Sequence, residues 1–149
     1  MRGTVHVLPT EAYFALVRHS LAETGYAYVR VTGVSMQPLL RHLRDGVVIS
    51  PPGAIHRGDI VLYDRQNGRY ALHRVIRTKA ETFDMMGDHQ WHMDRGLYYG
   101  QIVGTVILVE RSGKSISAAN PFLKAYAFLM CFTAFPRDWL RKIKEGARL

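Results

Sequence analysis

Val31-Thr32-Gly33-Val34-Ser35-Met36-Gln37-Pro38-Leu39-Leu40 is the stretch on which the reading of this chain turns. Ala27, Val29 and Val31 lead into it with the alternation of a half-buried strand. Gly33 then opens backbone angles closed to other residues, and Pro38 stops an immediate helix. Between these two breakers a single hydroxyl, Ser35, is carried by Val34 and Met36. A serine at the mouth of a strand, where the backbone changes direction, is a place from which a nucleophile can be presented. An ordinary turn serine is the structural alternative.

Outward from that stretch, short apolar segments recur with turn signals between them. Tyr26–Thr32, Gly46–Ser50, Gly58–Arg65, Tyr70–Thr78, Thr82–Met86 and Gln101–Glu110 read as strands. Asn67-Gly68 marks a hairpin between the third and fourth, Pro51-Pro52-Gly53 ends the second, and Ser112-Gly113 ends the last. Leu39–Leu43 reads as a loop or a short helical turn. Many short strands with little helix between them predict a mainly β fold, an antiparallel, barrel-like domain over residues 26–118.

A helix is expected on each side of that domain. In residues 1–25, Thr10 is an N-cap candidate with Glu11 in the first turn; Phe14, Val17 and Leu21 keep helical spacing, and Gly25 is the stop. This helix is expected to pack on the β body. In residues 119–149, Asn120-Pro121 has the form of an N-cap followed by proline at the first helical position. Phe122–Phe135 is apolar except for Lys124 and Thr133, Pro136 is expected to break the helix, and Trp139, Leu140 and Ile143 follow among basic residues. Such an amphipathic segment suits packing on the β body, an anionic membrane surface, or a partner protein.

Composition narrows the classes. The 149 residues with 48% hydrophobic content suit one globular unit. A lone cysteine, Cys131, excludes an internal disulfide framework. The net charge of +8 points to an anionic partner, and half of that excess lies from Lys124 onward. No signal sequence is read in Met1–Pro9, and no run approaches the ~20 apolar residues of a membrane span. A cytoplasmic or peripheral-membrane location is the resulting expectation. No phosphate-cradling glycine loop or RNA-binding signature is present, so no nucleic-acid partner is expected. His89 and His92, with Asp88 or Asp94, have a spacing that can hold a metal, but neither HExxH nor a cysteine pair accompanies them. No cofactor or metal is expected.

Two later segments give Ser35 a context: Ala71-Leu72-His73-Arg74-Val75-Ile76 and Met86-Gly87-Asp88-His89-Gln90. With Gly33-Val34-Ser35-Met36-Gln37-Pro38 and His56-Arg57-Gly58-Asp59-Ile60-Val61, they resemble signal peptidase I in order and style. The likeness is to the branch of archaea and the endoplasmic reticulum, which has histidine where most bacterial enzymes have a catalytic lysine. It covers roughly Tyr28 to Val109.

That resemblance implies a serine endopeptidase with Ser35 as nucleophile and His73 as general base. It also implies Asp88 as the acid near the pair, able to hold the imidazole tautomer and stabilise its cation. The side-chain chemistry agrees: a serine hydroxyl needs a base, and an imidazole with a pKa of ~6.5 accepts a proton near neutrality. By period-two logic His73 shares a face with Ala71 and Val75, small neighbours that leave the ring room. Asp59 matches the family too and is read as structural, bonding backbone amides before a strand. Many signal peptidases have a second serine two residues before the nucleophile, as an oxyanion donor. Here Gly33 stands there, leaving the Ser35 backbone amide as the candidate donor, and Met36 and Pro38 as candidate neighbours of substrate. Gly33 is also what the related self-cleaving repressor peptidases show, but they pair serine with lysine, and no lysine lies between Ser35 and Lys79.

The expected substrate is an extended signal or leader peptide of a precursor protein, bound beside the strand that leads to Ser35. A non-catalytic peptide-binding module and a peripheral membrane adaptor are the alternatives. Oligomeric state is not legible.

Overall fold

The computed structural model describes residues 9–148. Readings that fall on residues 1–8 lie outside the described residues. Eight strands form one sheet in which every pairing is antiparallel: β1 (Ala27–Arg30), β2 (Asp45–Ser50), β3 (Ile60–Asp64), β4 (Tyr70–Thr78), β5 (Thr82–Met86), β6 (Asp94–Tyr98), β7 (Ile102–Arg111) and β8 (Lys114–Ser117). Helix α1 spans Thr10–Thr24 and α2 spans Pro121–Gly146. The fold is therefore mainly β with a helix at each end of the chain. Strand order is β1-β2-β7-β3-β4-β5-β6, with β8 paired to β7. The two ends of this order do not pair with each other, so the sheet is open and barrel-like only loosely.

Strand β7 is the seam. Along one edge it pairs with β2 from Asp45↔Arg111 to Ser50↔Thr105. Its other edge is shared, with Ile102–Thr105 against β3 and Leu108–Arg111 against β8. The β3–β4 hairpin is closed where Asn67-Gly68 predicts it. Gln66, Asn67 and Gly68 all adopt positive φ, and the Arg65 N–H donates to Arg69 O at 2.7 Å.

Helix α1 ends as its sequence suggests: Gly25 takes φ 79°, and its N–H donates to Leu21 O. At the other end the residue at the N-cap position is Pro9, and Thr10 is already helical without a side-chain cap. Val17 and Leu21 carry α1 onto a core with Val29, Val47, Ile49 and Val109. Each such buried aliphatic side chain stabilises the fold by roughly 1.5–3 kcal/mol. Phe14 stacks on Tyr70 at 3.7 Å between centroids, which fixes α1 against the start of β4.

Helix α2 begins as expected, with Asn120 Oδ1 accepting the Phe122 N–H at 2.9 Å and Pro121 next. It does not break at Pro136, which lies inside a continuous helix. A mid-helix proline costs ~3 kcal/mol through a lost hydrogen bond and ring contact. The turn that follows is tied to the loop before β6 and to β6 itself. Asp138 is 2% exposed, accepts the Met93 N–H, and bridges to Arg95, Arg141 and Lys142. Cys131 and Ala134 pack with Ile76, Met86 and Met93, so α2 covers one side of the β4–β5 region.

Candidate active site

The Val31–Leu40 stretch becomes the connection leaving edge strand β1, and the core anchors it at both ends. The Val31 N–H donates to Asp45 O at 3.0 Å, and Leu43 N–H to Val31 O at 2.8 Å. Met36 and Leu40 are buried at 2% and 0% exposure, plugging the α1-side core. Gly33 adopts φ 82°, which turns the chain sharply just before Ser35. Its N–H is used by His42 Nδ1 at 2.7 Å, so Gly33 contributes to the turn rather than as a free donor. Ser35 itself is half-buried, and no hydrogen bond among the described residues uses its N–H or its hydroxyl.

The Gly87–Gln90 turn supports this connection from behind. The His89 N–H donates to Ser35 O at 2.8 Å, and the Asp88 N–H meets Met36 Sδ at 3.5 Å. Gly87 passes so close that a Cβ there would lie 2.6 Å from Ser35 O. The turn in turn hangs from α2, where Arg137 Nη1 donates to Asp88 O at 3.0 Å and Gln90 O at 2.6 Å.

Ser35 and His73 line the same open cleft, about 270 Å³, together with Thr32, Met36, Arg65 and Gln90. Pro38 lies outside its lining. His73 sits on β4 opposite Val61, and its same-face neighbours Ala71 and Val75 pack with that residue, as the period-two pattern predicts. The residue is 5% exposed, and its Nδ1 has no hydrogen-bond partner among the described residues. The carboxylate facing that nitrogen belongs to Asp94, with Oδ2 3.8 Å away. This is longer than a hydrogen bond, and catalytic contacts are often loose before substrate binds.

Asp94 also accepts from Arg65 Nη2 at 2.6 Å, while its other oxygen lies 3.5 Å from His92 Nε2. Burial works to raise its carboxyl, but the contacts with His73 and Arg65 prevail and hold it below the usual carboxylate range. It is therefore an anion at neutral pH.

Asp88, expected beside the imidazole, is engaged elsewhere. Arg74 follows His73 on β4, so its side chain leaves by the opposite face. There it grips Asp88 with two hydrogen bonds of 2.8 Å. Both side chains are nearly sealed, at 3% and 1% exposure, with the guanidinium 5.6 Å from the Tyr126 ring of α2. The geometry thus gives Asp88 to the support of the turn beneath Ser35 and puts Asp94 next to His73. From sequence Asp94 suggests only a metal ligand beside His92, because its placement next to His73 depends on β6, whose sequence carries no strand alternation.

The remaining expected residues fall into place as follows. Asp59 Oδ2 accepts the His56 N–H at 2.8 Å, a side-chain bond to a backbone amide ahead of β3. His89 meets Ser35 through its backbone. Among the described residues no group of three or more His, Cys, Asp or Glu side chains converges as a metal site. No helix among them is long and apolar enough to cross a membrane.

A serine and a histidine in one cleft, at the exit of an edge strand, form the combination from which acyl transfer can be built. No curated protein matches the chain. A family model, described as Peptidase S24-like, matches residues 3–107, about seven-tenths of the sequence, including the Ser35 connection, β4 and the Gly87–Gln90 turn. The chain belongs to that Peptidase S24-like family of serine peptidases.

Proposed function

We propose that the protein is a serine endopeptidase of the serine–histidine type, resembling signal peptidase I, that cuts an extended signal or leader peptide. One observation carries the reading: Ser35 and His73 line a single open cleft that no lysine enters. Membership of the S24-like family alone leaves the general base open between lysine and histidine. Lys79, the first lysine after Ser35, lies beyond the far end of β4, 3.9 Å from Asp84. That leaves His73 as the base available to Ser35.

In this mechanism His73 takes the Ser35 proton as Oγ attacks the scissile carbonyl carbon. The resulting imidazolium is stabilised by anionic Asp94, which faces Nδ1, so the proton is handled at Nε2. The Ser35 N–H is free to donate to the developing oxyanion. Collapse of the tetrahedral intermediate passes the proton from His73 to the departing amine and leaves an acyl-Ser35 ester. Water, deprotonated by the same imidazole, then releases the acid and restores the serine.

Substrate is held as an added strand. Among the described residues strand β1 pairs with β2 alone, and Val31 and Thr32 carry its line into the cleft. A peptide laid along that edge gains backbone hydrogen bonds and brings its carbonyl to Ser35. The test is cleavage of a panel of extended leader-type peptides with products mapped by mass spectrometry. Ser35→Ala and His73→Ala are each expected to abolish cleavage while remaining folded by circular dichroism. Unchanged cleavage in either folded variant overturns the mechanism.

A further inference from the structure

Among the described residues, nothing covers a large apolar face of helix α2. Phe122, Phe128, Leu129, Phe132, Trp139 and Ile143 are between 46% and 85% exposed. At ~100° per residue these positions, with Leu140, fall within an arc of about 120°. The opposite side is the packed one, carrying Ala127, Cys131, Ala134 and Asp138. The face is thus a continuous stripe along 26 residues of helix, not a scatter of single side chains.

Its borders are basic. Lys124 and Lys142 share a helical angle along one margin, and Lys144 lies on the other, over the Trp91 ring at 5.3 Å. The acids of α2 are engaged within the chain. Asp138 is buried and shared by Arg95, Arg141 and the border Lys142, and Glu145 bridges to Arg141 at 2.5 Å. Among the described residues of α2 no acidic side chain lies within the arc, so none is left to pair with the lysines of a second copy. Facing two such stripes would oppose like charges on a chain of net charge +8. An anionic bilayer complements both parts at once, taking the aromatic stripe among its acyl chains and the lysines at its headgroups.

We propose that the outward face of α2 is a docking surface for an anionic lipid bilayer, on which the helix lies flat. This is independent of the peptidase reading, since none of these side chains lines the Ser35 cleft.

The experiment is co-sedimentation of the full chain with vesicles of phosphatidylcholine alone and of phosphatidylcholine mixed with phosphatidylserine. A Trp91→Phe variant provides a second readout, the emission of Trp139. Binding to the mixed vesicles with a blue shift of Trp139, and far weaker binding to neutral ones, is expected. Phe128→Glu with Phe132→Glu should abolish binding, and both residues are exposed, so the fold is retained by circular dichroism. Lys124→Gln with Lys144→Gln, which spares the Lys142–Asp138 pair, should weaken binding by roughly fivefold per lysine. No binding by wild type overturns the proposal. So does binding with no Trp139 shift and no loss in the phenylalanine variant, which is adsorption of a basic protein. A concentration-dependent dimer dissolved by Phe132→Glu, without vesicle binding, assigns the face to a second copy instead.

Discussion

Gly87→Ala probes the support of Ser35, the proposed nucleophile, most sharply, because the new methyl would meet backbone rather than a yielding side chain. Its Cβ would lie 2.6 Å from Ser35 O and 2.8 Å from Gln90 Oε1. Ordinary contact begins near 3.4 Å, so the Ser35 carbonyl and the turn must part by about 0.8 Å. The Gln90 amide can swing aside, but the Ser35 carbonyl is tied to the His89 N–H and to the buried Met36 that follows it. Overpacking of this kind costs about 1–3 kcal/mol. Misplacing a reacting group by ~1 Å can cost on the order of 10²-fold in rate. The expected result is a folded variant, destabilised by about 1–3 kcal/mol in urea, whose kcat/KM on a cleavable peptide falls by ~10²-fold. Activity should fall far more than the folded population does. A stable variant with wild-type kcat/KM would refute the claim that the Gly87–Gln90 turn sets the position of Ser35.

Three further perturbations separate the roles of the acids. Asp88→Ala leaves the buried Arg74 guanidinium without its carboxylate partner and should cost about 3–5 kcal/mol in urea unfolding, whereas a pure orienting role would lower activity and spare stability. Asp94→Asn should leave the fold intact and reduce turnover at least ~10-fold, but by less than the ~10⁴ of a fully bonded triad aspartate, because Oδ2 lies 3.8 Å from His73 Nδ1; unchanged turnover removes Asp94 from the mechanism. At Asp45, burial works to raise the carboxyl, but hydrogen bonds from Arg44, the Arg41 N–H and Arg111 prevail and lower it to about 2. A carboxyl lower in the folded than the unfolded state stabilises above about pH 4, and that contribution, about 2 kcal/mol, is lost as pH falls towards 2. Urea unfolding across that window should therefore show a steeper loss for wild type than for Asp45→Asn, and equal slopes would contradict the assignment.

Local chemistry made much of this architecture readable. Strand β4 runs over the predicted Tyr70–Thr78, where Val75, Ile76 and Thr78 are β-branched strand formers and Asn67-Gly68 marks the turn before it. The shared cleft of Ser35 and His73 is in line with a motif order that resembles a serine–histidine peptidase. Where local signals were weak, the reading was incomplete. Strand β6 is Asp94-Arg95-Gly96-Leu97-Tyr98, half exposed, and its glycine and charges hide any alternation. Missing that strand concealed Asp94 as the neighbour of His73. Asp88 drew attention through its motif, but its partner was fixed by strand geometry: consecutive residues leave opposite faces, so the arginine after His73 carries Asp88 away from the ring. Pro136 carries a strong local signal to break a helix, and long-range contacts to Asp138 from β6 and the preceding loop outweigh it.

Labelling by a serine-directed fluorophosphonate, followed by mass spectrometry of the adduct, tests the shared chemistry of Ser35 and His73 most directly. One adduct per chain is predicted, on the peptide containing Ser35, absent in Ser35→Ala and slowed at least ~100-fold in folded His73→Ala. An adduct on another residue, or equal rates with and without the imidazole, would contradict it.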